Sequence, residues 1–141
     1  MAVRCPHGAP AVIEQASYLD DGAPFPTTYY LTCPSAVARV GALEDAGGVD
    51  RYEALVAADP SAAESYRWGA SCQRRLRRPG LVMADGGASL ELGIGGTASD
   101  GMVKCLHAHA AFGLAQAGYG LGMQIADDAA PLFPSERCCC S

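Results

Sequence analysis

Glycine and proline cut this chain into short pieces, and their placement constrains the fold more than any other feature. Asp20-Asp21-Gly22 with Pro24 is a strong turn signal between residues 11–17 and 25–33. The second stretch carries Thr27, Thr28, Tyr29, Tyr30 and Thr32, residues that favour a pleated surface. A loose antiparallel hairpin follows, with Pro24 and Pro26 at its open end or edge because proline donates nothing to a ladder. Pro34 suits the first position of a helix over 35–46, with Thr32 or Cys33 near the cap. Val37, Val40 and Leu43 mark its buried face, and Gly47-Gly48 stops it.

A second helix fits 49–58, with Tyr52, Leu55 and Val56 on one face. Asp59-Pro60 breaks the chain and opens a third, from Ser61 to the region of Arg78. Its Tyr66, Trp68, Cys72 and Leu76 can bury in part, while Arg74, Arg75, Arg77 and Arg78 read as a solvated cluster complementing the helix dipole. Residues 79–100 are glycine-rich loop with a short strand expected at 89–92. A last helix is expected over 101–117, capped by Ser99 or Asp100, after which Gly118-Tyr-Gly-Leu-Gly122 turns away. Residues 126–141 read as a flexible cysteine-rich tail. With no internal repeat and no domain boundary, the expectation is a single α+β domain over 1–141. Its architecture is a small β-hairpin packed on a mostly helical body of about four helices.

Composition closes off several functions. Half the residues are hydrophobic and 18% are charged, which excludes a disordered chain. A net charge of -5 argues against a nucleic-acid partner held by counterion release. No apolar run approaches the ~18 residues of a membrane span, and Met-Ala-Val-Arg-Cys-Pro-His is not a signal peptide. The expected setting is cytoplasmic, with a protein partner or a homo-oligomer as the remaining interaction classes.

Seven cysteines and three histidines are the unusual content. In a reducing compartment such cysteines read as metal ligands, reactive thiols or buried apolar residues rather than disulfides. No Cys-x-x-Cys pair occurs, and each histidine lies within four residues of a cysteine. On a helix covering 101–117, Cys105 and His109 share a face, whereas His107 points about 160° away from His109. Cys5 and Cys33 each precede a proline that fixes the following backbone. Cys5, Cys33, Cys105 and His109, with His7 as alternate, would make a Cys₃His set suited to zinc, or to an iron–sulfur cluster. The plainer reading is ordinary buried thiols, with Cys72 as helix packing.

Two other chemistries come from the same region. Gly95-Gly96 leads toward a helix N-terminus able to bind an anion, with the lone lysine, Lys104, and His107 as charge and general acid/base. That would make the chain an enzyme or binder for a phosphorylated ligand; a close-packed glycine turn is the plainer reading. Cys105 or Cys33 as a thiol-redox sensor is the second alternative, requiring an exposed thiol of low pKa. Cys138-Cys-Cys-Ser141 matches a prenylation box only formally, and a frayed tail explains it better.

Four segments occur in order: Arg4-Cys-Pro-His-Gly8, Pro24-Phe-Pro-Thr-Thr-Tyr-Tyr-Leu-Thr-Cys-Pro34, Gly93-Ile-Gly-Gly96 and Val103-Lys-Cys-Leu-His-Ala-His109. This set resembles an uncharacterised bacterial family, domain of unknown function 501, typical of GC-rich actinobacteria. The resemblance covers most of 4–122. It implies weight on Cys5, Cys33, Lys104, Cys105 and His107, and a genomic neighbourhood with a septum-formation initiator and an exopolyphosphatase. It implies no activity. The C-terminal glycines and the triple-cysteine tail depart from the family pattern.

Overall fold

The computed structural model describes residues 2–139. Three short strands, β1 (Val3–Arg4), β2 (Pro10–Glu14) and β3 (Tyr29–Leu31), form an antiparallel sheet in that order. The expected hairpin is its β2–β3 pair, in register from Val12 opposite Leu31 to Glu14 opposite Tyr29. The long connection turns where Asp21 Oδ1 accepts the Ala23 amide at 2.9 Å, with Gly22 at a φ of 89°. β1 is an addition to the expectation; a residue pair is too short to show alternation.

Helices α1 (Pro34–Asp45), α2 (Gly48–Ala58) and α3 (Pro60–Leu76) begin where the sequence puts their caps. Pro34 occupies the first turn of α1 behind Cys33, Gly47 enters α2 at a φ of 86°, and the Asp59 carboxylate accepts the Ser61 amide at 3.0 Å. The strand expected at 89–92 is instead a 3₁₀ turn, Ala88–Glu91, followed by another at Ile94–Gly96. The arginine cluster is also corrected. Arg77 is buried, donating to the Phe25 carbonyl and, at 3.1 Å, to Ser89 Oγ. Ser89 in turn joins Tyr18 and Asp85, so a hydrogen-bonded network, rather than chain propensity, shapes the glycine-rich loop.

The helix expected over 101–117 is shorter, α4 (Leu106–Ala115). Gly101 and Lys104 both have positive φ, and residues 101–105 form a non-helical approach to α4. That approach is held by Glu53, which accepts the Val103 amide at 2.9 Å, and by Tyr66, which donates to the Met102 carbonyl at 2.7 Å. Beyond it lies a helix the sequence reading did not anticipate, α5 (Gly120–Asp128). Ser65 of α3 caps it by accepting the Leu121 amide at 2.9 Å, and Leu121, Ile125 and Ala126 bury one face. Residues 126–128 therefore belong to α5 rather than to the tail, while 129–139 have no regular structure.

The core sits on α4, which is buried almost all round and packs against α5, β3 and α1. Phe112 meets Tyr29 and Tyr119 edge-to-face at 5.1 and 5.7 Å. The Tyr119 ring lies over Gly69 of α3, where a Cβ would come within 2.6 Å of it. The result is a mostly helical α+β fold with the N-terminal end of α4 brought between α1 and the edge strand β3. No helix among the described residues is long and apolar enough to cross a membrane.

Candidate metal centre

Cys105 is the N-cap of α4, in extended backbone (φ −144°, ψ 115°), and His107 lies in the first turn. On a continuous helix their side chains would diverge. The extended cap lets them converge, and Glu44, from the last turn of α1, meets them there. One ligand atom from each of Glu44, Cys105 and His107 lies within 4.8 Å of the other two, the only such group of three among the described residues. All three are half-buried.

The imidazole is oriented from both sides. Nδ1 pairs with the Glu44 carboxylate, and Nε2 lies 3.0 Å from the Val37 carbonyl of α1. Both neighbours are acceptors, so an imidazolium donates to both, whereas a neutral ring can donate to one. A metal held here would take the Nδ1 lone pair and leave Nε2–H to donate to Val37, the orienting bond that ligating histidines typically make. Cysteine sulfur, imidazole nitrogen and carboxylate oxygen are all zinc ligands, and three protein ligands leave a fourth position open. The centre borders a cleft of about 310 Å³ walled by Tyr29, Tyr30, Leu31 and Val37 beside Cys105 and His107.

The other expected ligands lie elsewhere. His109 is buried inside the core, its Nδ1 2.6 Å from the Tyr119 hydroxyl and its Nε2 3.0 Å from the Val103 carbonyl. Burial pushes its pKa down to about 4, so the ring is neutral, with both nitrogens already partnered. Cys5 and Cys33 are buried near the C-terminal segment, and no group of three brings them to Cys105 or His109. His7 is exposed, with Nε2 2.7 Å from the Pro134 carbonyl. Cys72 is buried in α3 as helix packing.

Lys104 is exposed and does not line the cleft that His107 lines. It is the centre of a tight turn in which the Cys105 amide donates back to the Val103 carbonyl at 2.7 Å, with Lys104 at a φ of 65°. The Gly95-Gly96 turn packs closely: a Cβ on Gly96 would come within 2.8 Å of Pro26, and one on Gly95 within 3.6 Å of Ala108. The prenylation-like box ends on Cys140 and Ser141, outside the described residues.

Glu44 is the residue sequence reasoning missed. It is distant in the chain from Cys105 and His107 and carries no local motif, so only the packing of α1 against α4 reveals it. Comparison with curated proteins and with solved structures returns no match. The profile of the family described as "Protein of unknown function (DUF501)" matches residues 1–122, which contain all three converging residues, and the chain belongs to that family.

Proposed function

We propose that this protein is a metal-binding module whose centre is Glu44, Cys105 and His107, with zinc as the fitting ion. The observation that carries the reading is the convergence of three different zinc-type donors around an imidazole whose far nitrogen already faces a backbone carbonyl. Bound there, a metal ties the end of α1 to the start of α4, a structural gain in a small fold. An aromatic and aliphatic cleft borders Cys105 and His107, which suits an interaction or ligand-binding role.

The phosphorylated-ligand alternative has less support, because Lys104 and His107 share no cleft and the glycine turn is filled by its neighbours. The thiol-redox alternative is also less well supported at Cys33, which is buried and whose thiol burial pushes up rather than down.

The test is metal analysis of protein purified reduced and without oxygen. His107→Ala and Glu44→Gln should each lower bound zinc by about one equivalent per chain. Wild-type content in both variants overturns the assignment.

A further inference from the structure

The C-terminal segment returns to the N-terminal end of the molecule and brings cysteines with it. Cys33 Sγ lies 3.5 Å from Cys139 Sγ. The Cys5 thiol hydrogen-bonds with Cys138 and also lies within electrostatic range of Cys139. Cys5 and Cys33 are both buried, Cys5 at the head of a Cys-Pro turn and Cys33 at the N-cap of α1. The Cys5 turn closes through Gly8 at a φ of 87°, with the Cys5 amide donating to the Ala9 carbonyl at 2.8 Å.

Backbone donors converge on both buried sulfurs. The His7 and Ala9 amides donate to Cys5, and the Ser35 and Ala36 amides at the start of α1 donate to Cys33. The segment is anchored independently of the sulfurs, by His7 Nε2 against the Pro134 carbonyl at 2.7 Å and by buried Leu132.

We propose that Cys5, Cys33, Cys138 and Cys139 form a second, four-thiolate metal site that takes zinc and clips the C-terminal segment onto the N-terminal turn and α1. The spacing favours a metal over a disulfide. A sulfur–sulfur bond is about 2.05 Å long, whereas the edge of a zinc tetrathiolate with ~2.3 Å bonds is about 3.8 Å. The 3.5 Å Cys33–Cys139 separation is close to the second value. No three of these sulfurs lie mutually within 4.8 Å, so binding draws the two pairs together. Residues 129–139, with neither helix nor strand, are the part that adjusts. Cys138 and Cys139 lie beyond the residues that the family model matches. The site stands apart from the Glu44 centre and does not depend on it.

The experiment is a titration of the reduced, oxygen-free full chain with cobalt(II), as a spectroscopic probe, in three forms: wild type, His107→Ala, and a tail variant with Cys138, Cys139 and Cys140 all replaced by serine. The tail variant should lose about one equivalent and at least half of the sulfur-to-cobalt charge-transfer intensity. His107→Ala should retain a four-sulfur tetrahedral spectrum. X-ray absorption of zinc-loaded His107→Ala protein should then give four sulfur neighbours at about 2.3 Å. The proposal is overturned if the tail variant matches wild type in stoichiometry and spectrum. It is equally overturned by a mixed nitrogen and oxygen shell, or by a Cys33–Cys139 disulfide in protein isolated without added reductant or oxidant. A chain that binds only the metal lost in His107→Ala refutes this site and leaves the Glu44 centre standing.

Discussion

Gly113 of α4 and Gly122 of α5 meet backbone to backbone: a Cβ on Gly113 would stand 2.5 Å from the Met123 nitrogen, and one on Gly122 2.6 Å from the Tyr119 ring. This contact sets how closely the two helices approach, and with it the position of Tyr119 against His109. Gly113→Ala should therefore destabilise the fold by about 1–3 kcal/mol despite alanine's better helix propensity. Gly120→Ala, where the nearest atom would be an ordinary 3.7 Å away, should be neutral or mildly stabilising. Urea denaturation midpoints of the two variants check the contrast.

His109 makes stability depend on pH in a defined direction. Its folded pKa, about 4, lies below the 6.5 of the free side chain because burial disfavours the charged ring. Between those values the unfolded chain binds more protons, so stability is full above about pH 6.5 and falls as the pH drops toward 4. The loss should be on the order of 2–3 kcal/mol over that window. Measured with chelator present, to keep the proposed metal centre out of the titration, His109→Gln should flatten this part of the profile.

Asp85 organises the glycine-rich loop. Its carboxyl is held well below the usual range, first by the Tyr18 hydroxyl and then, against some burial, by the Ser89 and Gly87 amides. Such a group contributes stability above the ordinary carboxylate pKa, and the contribution fades as the pH falls below it. Asp85→Ala should speed hydrogen exchange of the Gly87 and Ser89 amides roughly tenfold at neutral pH, with little change in α4. Unchanged exchange would show that the loop holds without the network.

Metal removal should separate the Glu44 centre from the rest of the fold. At saturating zinc, chelation should lower the wild-type Tm by roughly 5–10 °C. In a chain with the C-terminal cysteines replaced by serine, adding His107→Ala should abolish most of that shift.

The hairpin turn and the first three helices were legible because their signals are local: Asp21 and Gly22 in the turn, Pro34, Gly47 and Asp59-Pro60 at the caps. The fifth helix was not. Gly118, Gly120 and Gly122 read as breakers until a partner helix gives Gly122 a packing role. Cys105 and His107 stood out in the sequence, but their convergence depends on α4 beginning at Leu106 rather than earlier. That start is fixed by Glu53 and Tyr66, on helices remote in sequence. Arg77 likewise looked like surface charge because its acceptors, Phe25 and Ser89, come from other parts of the chain.

The tight turn before α4 changes what the lone lysine is for. With the Cys105 amide closed back onto Val103, the residue between them stands in a region that a non-glycine side chain enters at a cost. Lys104 acts there as a tensioned spacer whose charge points away into water. Glycine at this position would relax the spacer and gain global stability while letting the cap cysteine wander. Resistance to denaturant and tightness of zinc binding at the proposed centre would then move in opposite directions, the result expected of a strained turn that holds the sulfur in place.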